Sequence, residues 1–193
     1  YIPTSYVKGT PHKMMVGFHP FNTSRWDAVS WRDTLEVFSE MNNLILVCPD
    51  GGLDGKVDDQ IDIEFTTALI DSVKKWYSID DERVYAMGFS WGGRTTYTYG
   101  LDNTDVFCGY MPIGAVVNGT NEVNSTRQSN SKNKPFYIIH GGSDSPNSSF
   151  YPVRDALITA GAIVETNLLS GVGHTIDFAN RNQILTDGFV WLE

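Results

Sequence analysis

Positive charge is the scarcest resource of this sequence. Against 23 Asp and Glu it carries 14 Lys and Arg, for a formal net charge of -9. Nucleic acid and anionic membrane surfaces are held by basic patches, so this balance argues against both as partners. Long apolar runs are also missing, and none approaches the ~20 residues of a membrane span. Cysteine is limited to Cys48 and Cys108, too few for a disulfide framework, and each reads as a small buried residue. The sequence opens on Tyr1 and not on Met, which reads as a chain processed or excised from something longer. No secretory leader is visible. What remains is ordinary globular composition, 41% hydrophobic and 19% charged over 193 residues. That supports one domain over 1–193 with a sizeable core, and no internal repeat or second domain is evident.

Apolar runs of strand length alternate with stretches of helical spacing. Strands are expected at residues 1–7, 13–18, 44–48, 84–89, 107–113, 135–140 and 162–169, with 79–82 a turn into the central one. Helices are expected at 26–41, 62–77, from Arg94 to about Leu101, at 150–160 and at 176–192. Residues 118–133 are crowded with Asn, Ser and Thr, show no apolar period and read as a loop. Such alternation implies an α/β protein with a parallel sheet covered on both faces. Sites in such sheets collect at the C-terminal ends of the strands.

The chain is organised around Gly88-Phe89-Ser90-Trp91-Gly92, with an apolar strand before it and a helix after it. A Ser at the tip of a tight strand-to-helix turn is held in a strained backbone with its hydroxyl projecting from the sheet edge. Gly88 and Gly92 are needed because a Cβ there would meet the neighbouring strand and helix. A Ser hydroxyl needs a base. His12 lies before its strand, at the wrong edge of the sheet, whereas His19 and His140 open loops that they shape through backbone bonds. His174 follows Gly171-Val172-Gly173 at the end of the last strand, where glycines let the loop curl back to the Ser. Asp144, after the preceding strand, is the group placed to orient it. Asp155 lies inside a helix and Asp177 starts one, so both serve worse. The chain order Ser, Asp, His is that of α/β-hydrolases.

A tetrahedral oxyanion needs two fixed donors. One is the backbone N–H of Trp91, the residue after the nucleophile. The other comes from the loop after Phe18, and because Pro20 has no N–H the donor there is Phe21. His19, Phe21 and Trp91 are the candidates for lining the substrate pocket.

These residues resemble the α/β-hydrolase superfamily, and within it esterases similar to polyhydroxybutyrate depolymerases and to the feruloyl and acetylxylan esterases of carbohydrate esterase family 1. The resemblance rests on residues 62–71, on 77–93 through the elbow, on His140-Gly141-Gly142-Ser143-Asp144, and on Gly171-Val172-Gly173-His174-Thr175. It implies a three-layer α/β-hydrolase fold and a serine carboxylesterase working through an acyl-enzyme. In that reading Ser90 is the nucleophile, His174 the base and Asp144 the orienting acid, and the ester is short-chain, aromatic or polymeric. Three departures stand out. Pro20 replaces the usual Gly of the oxyanion loop. Trp91 is more reminiscent of dienelactone-hydrolase elbows, although the nucleophile here is Ser and not Cys. Little chain separates the sixth strand from Asp144, so there is little room for a lid.

The same triad would serve a peptidase or an acyltransferase, and a non-catalytic binding module could keep the fold. No cofactor is called for. Asp50, Asp54, Asp58, Asp59 and Asp62 line a Gly-rich stretch, but the spacing does not fit a calcium loop, and a solvated acidic loop without metal is expected. Four Asn-x-Ser/Thr sequons start at Asn22, Asn118, Asn124 and Asn147. They mark surface loops and point weakly to a secreted protein. Activity is expected to rise with pH near neutrality as the His174 base loses its proton.

Overall fold

The computed structural model describes residues 1–21 and 24–193, and of Leu53 the backbone only; the sequon at Asn22 therefore lies outside the described residues. Among the described residues, six strands form one sheet: β1 (His12–Phe18), β2 (Leu44–Val47), β3 (Ile79–Phe89), β4 (Gly109–Ile113), β5 (Pro135–Gly141) and β6 (Ile163–Leu169). Their order is β2-β1-β3-β4-β5-β6, and every neighbouring pair is parallel. Parallel strands need crossovers, and helices supply most of them: α1 (Ala28–Asn42), α2 (Gln60–Trp76), α3 (Trp91–Asp102), α4 (Ser125–Asn130), α5 (Pro146–Ser149) and α6 (Tyr151–Thr159). α7 (Arg181–Leu192) closes the chain.

Successive strand side chains point to opposite faces, so the two methionines of β1 divide between two cores. Met15 packs with Trp31, Leu35 and Phe38 of α1 and with Leu185 and Phe189 of α7. Met14 belongs to the opposite core, which also takes Ile70 of α2, Tyr97 of α3 and Leu157 of α6. The result is a sheet between two helical layers, the three-layer α/β architecture.

α1 starts where Asp27 accepts the Ser30 N–H at 2.7 Å while the Asp27 N–H donates to Ser30 Oγ at 2.9 Å. This reciprocal pair satisfies donors that the first helical turn leaves open. The Ser30 backbone N–H, and after it the Ser30 hydroxyl, which also donates to Asp27 Oδ1 at 2.7 Å, hold the Asp27 carboxyl below the usual carboxylate range. A depressed pKa contributes stability that is complete above the unfolded-state value, near 3.9, and is lost as pH falls through the folded-state value. Asp27→Ala is therefore expected to lower the melting temperature by a few degrees at pH 7, with the difference shrinking below about pH 4; paired melting curves check it.

Several element boundaries differ from the sequence-based expectation. Residues 1–7 form turns, not a strand, although Tyr1 exchanges both backbone bonds with Leu46 at the edge of β2. Residues 79–82 belong to β3. The turn chemistry expected there is real but sits in an irregularity of the strand: the register shifts between His12 and Met14 of β1, and Asp80 accepts from the Glu82 N–H and from Arg83. The polar loop 118–133 contains α4, capped by Asn124. α7 begins at Arg181 because Asn180 takes a left-handed conformation and the preceding stretch instead buries Ile176 and Phe178. Cys48 and Cys108 are free thiols and only half-buried.

Candidate active site

The elbow is built by close backbone approach. A Cβ on Gly92 would lie 2.0 Å from the Phe18 carbonyl oxygen, and one on Gly88 would lie 2.3 Å from the Gly92 oxygen. Both distances are far inside contact, so β3 can turn into α3 only with glycine at these places. Gly92→Ala is expected to cost on the order of 3 kcal/mol or more, read as a large drop in melting temperature together with loss of any activity. Between the glycines, Ser90 sits at φ 58 and ψ -116. A left-handed φ on a non-glycine residue is strained. It is held there by the Ser90 N–H donating to Ile113 O at 2.9 Å and by the Val116 N–H donating to Ser90 O at 3.0 Å.

Loops after β5 and β6 bring the two partners. The Gly142 N–H donates to Leu169 O and the Ser143 N–H to Val172 O, each at 2.8 Å, tying one loop to the other. His174 Nε2 then lies 2.8 Å from Ser90 Oγ, and His174 Nδ1 lies 2.7 Å from Asp144 Oδ2. Ser90 is 8% exposed. The Phe89 ring lies 4.9 Å from the His174 ring, tilted by 30°. The three residues singled out by sequence thus form one continuous hydrogen-bonded chain across 84 positions of sequence.

His140 behaves as expected for a loop-shaping residue: it is buried, and its Nε2 lies 2.8 Å from Asp144 O. His19 is corrected as a pocket residue. It is 2% exposed, and its nitrogens engage the Pro20 carbonyl and the Gly51 N–H, so it braces the loop and does not line the cleft.

A cleft of about 210 Å³ opens at Ser90 and His174. Pro20, Phe21, Arg25 and Trp26 wall it from the loop after β1, and Thr175 and Ile176 from the loop after β6. A more apolar cavity of about 320 Å³ lies between α1 and α2 at the edge of β2. None of Ser90, Asp144 and His174 lines it, so chemistry and not cavity character locates the site.

Trp91 is the first residue of α3, among the N–H groups that a helix leaves unpaired. Its indole N–H donates to Asp58 at 3.1 Å, and the Arg94 guanidinium lies 4.4 Å from its ring. Lys56 Nζ stands 5.0 Å from the Trp91 ring and 4.9 Å from the Phe21 ring, which is 48% exposed. Lys56, Asp58 and Arg25 have no signature in the sequence, because only the fold brings the loop of 50–59 and the segment before α1 to the nucleophile. Arg25 is paired with Asp177 at 2.6 Å. Among the described residues, no group of three or more His, Cys, Asp or Glu side chains is placed to hold a metal ion.

Comparison with known proteins gives the family and the fold. The family model described as "Dienelactone hydrolase family" matches residues 51–188. A protein of Escherichia coli (strain K12) named "Putative carboxymethylenebutenolidase" is 30% identical over 119 residues, covering 57% of this chain and 44% of its own. The "Bifunctional acetylxylan esterase/xylanase XynS20E" of Neocallimastix patriciarum is 28% identical over 112 residues, 56% of this chain and 16% of its own. The chain thus spans less than half the length of these curated relatives. A solved ferulic acid esterase superposes with a TM-score of 0.71 at 15% identity, over 95% of this chain and 85% of its own; at that identity the likeness shows the fold alone.

Proposed function

Since the chain belongs to the dienelactone hydrolase family of α/β-hydrolases, we propose that it hydrolyses carboxylic esters through an acyl-enzyme on Ser90. The observation that carries this reading is the unbroken chain from Ser90 Oγ through His174 to Asp144. In the mechanism, His174 Nδ1–H donates to Asp144, which leaves Nε2 bare to accept the Ser90 proton. Ser90 Oγ attacks the ester carbonyl as its proton passes to Nε2. The C–O bond to the alcohol breaks, and the alcohol leaves with that proton. Water then gives a proton to Nε2 and adds to the acyl carbon; the bond from that carbon to Oγ breaks, Oγ takes the proton back from Nε2, and the acid leaves. The backbone N–H groups of Trp91 and Phe21 are the donors assigned to the oxyanion.

A cleft of about 210 Å³ suits a short or single-ring acyl group, in keeping with the acetyl and feruloyl esters named for similar proteins. A polymeric alcohol side is a further part of the proposal, supported by the cleft being open to the surface. The test is a nitrophenyl ester panel from acetate to longer chains, with a feruloyl ester and an added alcohol acceptor. Hydrolysis strongest on the short or feruloyl esters is expected, with free acid as the product. Transfer of most of the acyl group to the added alcohol would mark an acyltransferase instead. No jump in rate is expected as a soluble ester passes its solubility limit; a sharp rise there would contradict an uncapped site.

A further inference from the structure

We propose that His19 is a positioning residue that aims the Phe21 N–H at the oxyanion by holding the Pro20 carbonyl. The proposal rests on the ester-hydrolase reading above and on Phe21 as an oxyanion donor. The two ring nitrogens of His19 have unlike partners. Nε2 lies 3.0 Å from the Gly51 backbone nitrogen. An N–H can only donate, so Nε2 is the bare, accepting nitrogen. The single ring proton is therefore on Nδ1, which lies 3.0 Å from Pro20 O, a group that can only accept. One neutral tautomer satisfies both contacts. The other tautomer would set hydrogen against hydrogen at Gly51 and lone pair against lone pair at Pro20. Asp50 Oδ1, 3.5 Å from Nε2, is the carboxylate beside the ring. Both nitrogens are spent on backbone, so the ring has nothing to offer the cleft directly.

The peptide geometry converts that contact into a direction. In a planar trans peptide the carbonyl of one residue and the N–H of the next point opposite ways, and no described peptide bond is cis. Fixing Pro20 C=O therefore fixes the Phe21 N–H. Proline locks its own φ, which leaves its ψ as the soft rotation that would turn this peptide plane, and the His19 bond restrains that rotation. The chain just before it is already fixed, because Gly92 lies against the carbonyls of Phe18 and His19. On the far side, Gly51 is held in a turn by the Lys56 N–H donating to Gly51 O at 3.1 Å. The loop after β2 thus sets the His19 tautomer, and His19 sets the donor.

Two amide substitutions separate the two jobs of the ring. The Asn amide nitrogen can stand near the place of Nδ1, and the Gln amide oxygen near that of Nε2. His19→Asn keeps the donor to Pro20, and its turnover of nitrophenyl acetate is expected to stay within about threefold of wild type. His19→Gln keeps the acceptor for Gly51 but frees Pro20, and its kcat is expected to fall about 100-fold with KM within about twofold, the pattern of a lost transition-state donor. Wild-type kcat in His19→Gln, or equal losses in both variants, would overturn the proposal. A measurement on unmodified protein guards against variants that fail to fold. Two-bond ¹H–¹⁵N correlation should show His19 protonated on Nδ1 alone at neutral pH, and a proton on Nε2 would overturn the proposal as well. Failure of the underlying reading shows elsewhere: Ser90→Ala would then keep its hydrolysis whatever His19 does.

Discussion

Replacing Ser90 with alanine is expected to lower the turnover of nitrophenyl acetate by about a million-fold while the protein stays folded. The size of the loss follows from the geometry. Ser90 Oγ is 2.8 Å from His174 Nε2, so the hydroxyl is the atom whose proton the base removes, and alanine leaves the base nothing to activate. Ser90 also carries a left-handed φ of 58, a conformation that costs a non-glycine residue on the order of 1–3 kcal/mol. Ser90→Gly should therefore be as inactive as Ser90→Ala and melt at a higher temperature, since glycine takes this backbone without strain. Opposite signs for activity and stability at one position would mark strain kept for function. Turnover assays and melting curves on the two variants together check both parts. Ser90→Ala retaining a tenth of wild-type turnover would place the chemistry elsewhere.

Asp144→Asn is expected to cost about 10⁴-fold in kcat with little change in melting temperature. Asp144 Oδ2 accepts from His174 Nδ1 at 2.7 Å, which keeps the proton on Nδ1 and the lone pair on Nε2. An asparagine amide can turn its NH₂ to the ring and favour the opposite tautomer, with the proton on Nε2 facing Ser90. The backbone of the loop does not depend on that carboxylate. The Asp144 N–H donates to Gly141 O at 3.0 Å, and the Asp144 carbonyl lies 2.8 Å from His140 Nε2. Stability and catalysis should therefore separate, and kinetics alongside thermal melting would show it. A loss of less than tenfold would mean that the tautomer of His174 is set by another contact.

The part of the site that was legible in the sequence is the part forced by local geometry. Gly88 and Gly92 announce the elbow because a Cβ at either place would come within 2.3 and 2.0 Å of a backbone oxygen, which leaves no room for a side chain. Asp144 and His174 were legible because a parallel sheet sends every post-strand loop to the same edge. The architecture was readable for a related reason: buried parallel strands are short apolar runs, and amphipathic helices separate most of them. What could not be read depends on chain segments meeting from afar. His19 was legible as a loop-shaping residue, but its place among the pocket candidates fell once Gly51, 32 positions away, was seen to take its Nε2. Lys56 over the rings of Phe21 and Trp91 has no sequence pattern at all. Element ends failed where polar chemistry imitates a different structure. Asp80 makes turn-like bonds inside β3, so residues 79–82 read as a turn. Residues 1–7 have the composition of a strand, yet after Tyr1 they run into turns, with the Tyr6 N–H donating to Pro3 O and the Thr10 N–H to Val7 O.

The most direct measurement is to treat the folded protein with a fluorophosphonate ester and map the modified peptide by mass spectrometry, in wild type and in His174→Ala. A phosphonate reacts with a serine made nucleophilic by its base. One label per chain on Ser90 in wild type, with labelling lost in His174→Ala, is the predicted result. An unlabelled wild type of native melting temperature, or a label on any other residue, would contradict the assignment of Ser90 as the activated nucleophile.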